Sequence, residues 1–366
     1  MSPTRELYRS EQLPVFQNRM FASEQSARQC TRGDVVLVQD LDTGLIYNQA
    51  FDPELMAYDA DYQNEQGHSG VFRQHLENVA GVVQKHFGGQ SLIEVGCGKG
   101  HFLEQLQAMD FRITGLDPTY EGSNPAVIRE YFTPATGLRA EGLVLRHVLE
   151  HVQDPVAFIR QLRDANGGQG RIYIEVPCVD WIADHHAWFD LFYEHVNYFR
   201  LGDFDRMFGT VHESGHTFGG QYLYVVADLA SIRTPTALAV PAVPAVPAFE
   251  FPADFVASLQ SSSALLRRRE AGRKAAIWGG ASKGVIFALL MERAGTNVDM
   301  VVDINPAKQG RYIAATGLKV HSPEEALQQL PSGSDVFVMN RNYLAEIQTL
   351  THHRFNYIKV EHEQQL

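Results

Sequence analysis

SLIEVGCGKG, residues 91–100, decides the fold of this 366-residue chain. Its first five residues are mostly apolar and suit a buried strand. Gly96, Cys97, Gly98, Lys99 and Gly100 then make a glycine-spaced turn. Residues 101–109 have helical spacing, with Phe102, Leu103 and Leu106 on one side. Strand, glycine loop and helix form a plan that binds a nucleotide-like ligand at a strand's C-terminal edge. Counted from Glu94, the pattern is acidic-x-Gly-x-Gly-x-Gly, which is not the G-x-G-x-x-G of dinucleotide sites. The glycines let a ligand approach the backbone with no Cβ in the way.

Outward from this run, residues 111–116 read as the next strand, ended by Asp117. An acidic residue about 20 positions after a glycine loop accepts hydrogen bonds from ribose hydroxyls, and a carboxylate offers two oxygens for this. The other reading of Asp117 is a turn cap before Pro118. Residues 142–148 read as a third buried strand. Asp154-Pro155 starts a helix that Gly167-Gly168 stops, and residues 171–176 form a fourth strand. Strands alternating with helices predict an α/β fold with a parallel, doubly wound sheet.

The formal charge of -12, from 43 acidic and 31 basic residues, argues against a nucleic-acid partner. The short run Arg267-Arg268-Arg269 reads as a solvated helix face. No apolar stretch reaches the roughly 18–20 residues that span a bilayer, so no membrane partner is expected. The first residues, MSPTRELYRSEQ, lack the apolar core of a signal peptide. Cys30, Cys97 and Cys178 are widely spaced and make no disulfide framework, which suits a reducing cytoplasm. The oligomeric state is left open.

Four segments follow. Residues 1–70 form a small β-rich N-terminal segment, with alternation over 35–39, a turn at Asp42-Thr43-Gly44 and an aromatic, polar stretch from Tyr58 to Glu65. Residues 71–232 hold a helix over 72–86 and the sheet just described. Residues 233–252 are a Pro/Ala-rich linker, whose Val-Pro-Ala repeats favour extended backbone. Residues 253–366 read as a second Rossmann-like unit: a helix over 254–273, a strand over 275–278, a glycine turn GGASKG over 279–284 and a helix over 285–293. Strands follow over 298–302 and 335–339. GGASKG fits the dinucleotide fingerprint poorly. It reads either as a site for a phosphorylated substrate or as structural. Lys283 near a helix N-terminus either meets a phosphate or is a solvated lysine.

The spacing at Glu94 resembles the first motif of class I methyltransferases that use S-adenosylmethionine. Several runs together are similar to the sugar C-methyltransferases that act on nucleotide-linked deoxysugars: EVGCGKG from Glu94, RHVLEHVQDP from Arg146, EVP from Glu175, YEHVNYF from Tyr193, FGGQYLYV from Phe218, WGGASKG from Trp278 and VVDINPAKQGRY from Val301. The resemblance implies S-adenosylmethionine held by Glu94, Gly96, Cys97, Gly98, Gly100 and Asp117, with His147 beside it. It also implies that the C-terminal unit helps to enclose a small-molecule substrate. Two departures stand out. The family begins with a zinc module of paired cysteines, whereas only Cys30 precedes the glycine loop here, so no metal is expected. The family shows Tyr-x-Glu-His where this chain has Phe192-Tyr193-Glu194-His195, which displaces the tyrosine by one position.

C-methylation needs a carbon beside a carbonyl and a base to remove its proton. A histidine is the natural base, and the resemblance puts His195 in that role. Glu194 would orient an imidazole or hold a substrate hydroxyl, and Tyr193 or Tyr62 would hydrogen-bond the enolate oxygen. His147 and His151 leave the third strand where ligands bind, His151 against the substrate; the other reading of His147 is a satisfied, half-buried histidine. Two stretches mimic zinc-protease patterns, His147-x-x-Glu150-His151 and His212-Glu213-x-x-His216. Neither suits a helix: the first follows a strand, and the second contains Ser214-Gly215. Cys97 reads as small apolar packing. Trp181, Trp188 and Phe189 read as cleft lining or core. The alternatives are a methyltransferase of this build acting at carbon, oxygen or nitrogen of a non-sugar metabolite, an NAD-dependent oxidoreductase, and a non-catalytic binding protein.

Overall fold

A computed structural model of the chain describes residues 3–56, 66–233, 248–270 and 272–361. Tyr62 and most of the expected linker lie outside the described residues. The N-terminal segment is β-rich as expected. Strand β1 (Thr4–Pro14) and strand β3 (Arg32–Asp40) form a long antiparallel pair, broken by two register shifts, and β4 (Ile46–Asn48) continues it. Between β1 and β3 lie β2 (Met20–Phe21) and helix α1 (Glu24–Arg28).

Helix α2 (Gly70–Phe87) buries Phe72, Leu76, Val79, Ala80, Val83 and Phe87 at helical spacing, and Ser69 caps it. The central sheet then builds from β5 (Ser91–Val95), α3 (His101–Ala108), β6 (Arg112–Leu116), β7 (Val127–Ile128), β8 (Gly142–Arg146), α4 (Pro155–Ala165) and β9 (Arg171–Pro177). Asp154 accepts from Ala157 N and Pro155 takes the first turn of α4, as the sequence predicts. Strand β8 stops at Arg146, not Val148, because His147 takes a left-handed conformation (φ 52°). After α5 (Val179–Asp184), strand β10 (Asn197–Tyr198) joins β4 of the N-terminal sheet. Helix α6 (Leu201–Met207) leads to the hairpin β11 (Val211–Thr217) and β12 (Tyr222–Asp228). The seven-stranded order is β11-β12-β9-β8-β5-β6-β7, with β12 antiparallel to β9 and to β11 and the other pairs parallel. The order reverses between β5 and β8, and that switch point is where such sheets bind ligands.

The C-terminal unit begins with α7 (Ala257–Arg267), shorter than the helix expected over 254–273. Its sheet comprises β13 (Ala275–Trp278), β14 (Met300–Val302), β16 (Val320–His321), β17 (Asp335–Val338) and β18 (Asn356–Lys359), in the order β16-β14-β13-β17-β18, all parallel. Helices α8 (Lys283–Arg293), α9 (Pro323–Gln329) and α10 (Leu344–Leu350) connect these strands. This is the second Rossmann-like unit expected, with its own reversal between β13 and β17. A short strand, β15 (Tyr312–Ile313), leaves this unit and pairs with β2 near the start of the chain, and Arg311 donates to Met20 O. Arg293 also donates to Glu11 O and Gln12 O, and Ser69 Oγ donates to Glu346 Oε2. The first and last segments are thereby fastened around the central sheet. No described helix is long and apolar enough to cross a membrane.

Candidate active site

The carboxyl ends of the parallel strands of both sheets open on one cleft of about 380 Å³. One wall follows β5, β8 and β9: Glu94, Gly96, Cys97 and Gly98, then Arg146 and His147, then Pro177. The opposite wall follows β13, β14 and β17: Trp278 and Gly279, then Asp303, then Met339 and Asn340. Two switch points therefore face each other across one space, each with a glycine turn.

The β5 wall has the features of a cradle. Gly96 has φ 70°, and a Cβ there would stand 2.6 Å from Val148 Cγ2, so both backbone shape and space require glycine. Glu94 is 3% exposed and its Oε2 has no hydrogen-bond partner. Burial pushes its carboxyl up to about 8, although Arg146 opposes this. A buried acid with an open oxygen beside a glycine turn suits a cationic ligand, and S-adenosylmethionine is one. Cys97 lines the cleft, but burial raises its thiol and its sulfur packs against Gly115, so its contribution is shape. Gly100 (φ 81°) caps α3 and does not line the cleft. Asp117 sits at the end of β6 as expected, but its carboxylate is engaged by the chain. Its Oδ2 accepts from Gly98 N (2.8 Å), and its Oδ1 accepts from Thr119 N (2.8 Å) and Oγ1 (2.7 Å). It shapes the glycine turn from behind and does not line the cleft.

At the floor lies a buried charge network centred on Glu175. This carboxylate meets Arg146 (2.9 Å), His147 Nε2 (3.0 Å), His75 Nε2 (3.2 Å) and the Tyr173 hydroxyl (2.8 Å). Burial alone would raise its pKa, but Arg146 and the two histidines hold it well below the usual range. His147 is clamped between Glu175 and Glu150, whose Oε1 lies 3.3 Å from Nδ1. Burial opposes its charge, yet the two carboxylates win and raise it to about 9. His147 is thus a cation at neutral pH and has no lone pair free to take a proton. His147 lines the cleft at the end of β8, where the sequence puts it, but with its ring held by the two carboxylates it is not open to act as a base.

His195 lines the cleft, packed edge-on against His151 (centroids 5.0 Å) and Phe192 (4.9 Å). Burial, reinforced by His151, lowers it to about 3, so its ring is neutral. His151 also lines the cleft, and its Nδ1 lies 2.8 Å from Glu194 O. A carbonyl only accepts, so Nδ1 carries the proton and Nε2 presents a lone pair in the neutral ring.

Tyr193 and Glu194, expected beside the base, stand away from the cleft. Tyr193 is fully buried, its ring fills the space over Gly33, and its hydroxyl accepts from Asp52 N (2.8 Å). The physical reason is the one-residue displacement: Phe192 takes the cleft-facing position and its neighbour points the other way. Glu194 is 1% exposed and faces the N-terminal segment, where its Oε1 accepts from Gln17 N. Lys283 lines the opposite wall at the start of α8, but it is not a solvated lysine. It pairs with the buried Asp190 at 3.0 Å and lies over the Trp181 ring (4.8 Å). Trp188 and Phe189 are core. The second protease-like pattern lies on β11, where His212 and Glu213 face opposite ways.

The sequence reading missed Glu175, His75, Arg146, Tyr222 and Glu150 as site residues. Glu175 had a signal, a lone acid among the apolar residues of RIYIEV after Arg171. Glu150 had one too, inside the protease-like pattern. Tyr222 lines the cleft against His147 (centroids 4.6 Å), and nothing in its strand-like surroundings marks it.

Among known proteins, residues 66–211 match a family described as methyltransferase domain, and residues 251–356 match one described as C-methyltransferase C-terminal domain. C-methyltransferase NovU of Streptomyces niveus is 22% identical over 313 residues, covering 76% of this chain and 74% of that one. Of solved structures, the PH0226 protein of Pyrococcus horikoshii OT3 is similar over 47% of this chain and 99% of its own, at 11% identity and a TM-score of 0.35. A SAM dependent methyltransferase from Archaeoglobus fulgidus covers 42% of this chain and 94% of its own, at 17% identity and a TM-score of 0.33. The strand order, not these scores, carries the fold.

Proposed function

We propose that this S-adenosylmethionine-dependent methyltransferase methylates a carbon beside a ketone in a nucleotide-linked deoxysugar. The observation that carries the reading is one cleft with the Glu94 glycine turn on one wall, the His195 imidazole within it and a second Rossmann-like wall opposite. Its two matched domains, one described as C-methyltransferase C-terminal, support carbon as the acceptor atom.

Glu94, Gly96, Cys97 and Gly98 would hold the donor. When bound, the donor supplies an electrophilic methyl group on a positively charged sulfur. His195 takes the proton from the carbon beside the ketone, which leaves the electron pair as an enolate. Its neutral ring is ready to accept, and its apolar neighbour Phe192 keeps water from competing. Arg146 and His147, both cationic beside the cleft, favour the negative charge that develops. The β13–β17 wall, with Lys283, Asn305 and Lys308, receives the remainder of the substrate.

A non-sugar keto acceptor is the second reading. Phe192 favours it, because the position where the sugar enzymes carry a tyrosine has no hydroxyl here. A panel of nucleotide-linked keto-deoxysugars, with product mass spectrometry, separates the two. In heavy water with S-adenosylhomocysteine present, the wild type should exchange the proton beside the ketone. His195→Asn should lose about 10²–10⁴-fold in that rate while still binding S-adenosylhomocysteine. Methyl transfer to oxygen or nitrogen without exchange would sink the reading.

A further inference from the structure

Glu150 lines the cleft and holds His147 through one oxygen, but the reaction above makes no use of its other oxygen. It sits in the short turn Leu149–His151 after β8 and is 1% exposed. Its Oε1 takes His147 Nδ1, while its Oε2 is buried with no hydrogen-bond partner. An open carboxylate oxygen away from water is costly unless some step supplies a partner. Three groups present a ligand atom here: Glu150, His151 and His195, all within 4.8 Å of one another. His151 has its Nδ1 proton committed to Glu194 O, so the neutral ring has no donor left for Glu150. His195 is the remaining ring.

We propose that Glu150 is the positioning residue of the base, accepting the N–H of the His195 ring nitrogen nearer to it so that the other nitrogen faces the substrate. The inference rests on His195 being the base. In the step itself the substrate C–H bond breaks and an N–H bond forms on the substrate-facing nitrogen. The electron pair stays on the enolate. Glu150 gains no proton; its negative charge stabilises the imidazolium, and the proton leaves to water after methyl transfer. This resolves a difficulty in the site. Burial, His151 and His147 all disfavour a charged His195, and Glu150 is the anion that favours it. A separation longer than a hydrogen bond is usual before substrate binds, since such contacts tighten in the reacting complex. The arrangement has the logic of an acid–histidine pair, in which the acid fixes the tautomer and stays ionised.

The test is Glu150→Gln, which keeps an oxygen for His147 and removes the charge. Proton exchange with a turned-over keto substrate should slow by about 10²–10³-fold. KM and S-adenosylhomocysteine affinity should stay within about threefold, because the residue acts on the charged state of His195 and not on binding. Glu150→Asp, which restores the charge on a shorter arm, should recover part of the rate. Wild-type exchange in Glu150→Gln would overturn the proposal. So would an equal loss in both variants accompanied by lost S-adenosylhomocysteine binding, which marks a structural role. One zinc bound per wild-type chain and lost in Glu150→Gln would also overturn it, by making the same carboxylate a metal ligand. If the wild type itself shows no exchange, the base assignment falls first, and that result is distinguishable because it requires no variant.

Discussion

At the scale of single residues, the cradle makes a prediction about protons. Glu94, pushed up to about 8 by burial, is mostly protonated at pH 7 before a ligand arrives. A cationic ligand beside it lowers that value, so binding releases a proton. Calorimetry of S-adenosylmethionine, with no acceptor present, in buffers of different ionisation enthalpy should show a release approaching one proton near pH 7, and Glu94→Gln should abolish it. Proton-neutral binding in the wild type would contradict this account. Glu94, Gly96 and Gly98 were legible because spacing alone exposes a strand–turn–helix ligand loop. Tyr193 and Glu194 were misplaced because a one-residue displacement in an irregular loop reverses which side chain meets the cleft, and spacing does not register that. His147 was legible as a position but not as a state, since its charge comes from two carboxylates, one of them 28 residues away on β9.

At the scale of elements, both sheets use one device. The aspartate ending the second strand accepts from a backbone N–H of the preceding glycine turn: Asp117 from Gly98 N and Asp303 from Gly280 N, each at 2.8 Å. For Asp117 the sequence left a ribose contact and a turn cap both open; the backbone bond emerges only once the turn is folded. The same holds for β11, which carries a protease-like pattern but is a strand. There Glu213 reaches Lys85 (2.5 Å) and His86 (2.6 Å) at the end of α2 and is held at about 2, chiefly by these two bonds. A carboxylate depressed on folding stabilises the protein above its unfolded value near 4.5, and that stability is lost as pH falls toward 2. Unfolding free energies from urea titrations between pH 5 and pH 2 should therefore fall less steeply in Glu213→Gln, by about 2 kcal/mol across the window. Parallel curves would show that the hairpin is not clamped to α2 in this way.

At the scale of the whole molecule, the two units that the sequence separates share one site. Their existence was legible from two strand–glycine–helix runs; their opposition across a cleft was not, because it depends on contacts between residues far apart in the chain. Lys283 and Asp190 form such a contact, a buried pair 3.0 Å apart that joins the C-terminal unit to the central one. Lys283→Met leaves Asp190 buried without a counter-charge, and the cost should be about 3 kcal/mol in urea unfolding. Adding Asp190→Asn should recover part of that loss. An additive double variant would mean that the two residues do not support one another. The two-stranded sheet of β2 and β15 has a bearing on biosynthesis. Arg311 and Met20 lie 291 residues apart, and a ribosome adds roughly 5–20 residues per second. A nascent chain therefore presents an unpaired Met20–Phe21 edge for on the order of 15–60 s before its mate emerges. Translation stalled after the first seven-stranded sheet is written and before β13 yields a polypeptide with the first glycine turn already made and the facing half of the cleft still unwritten.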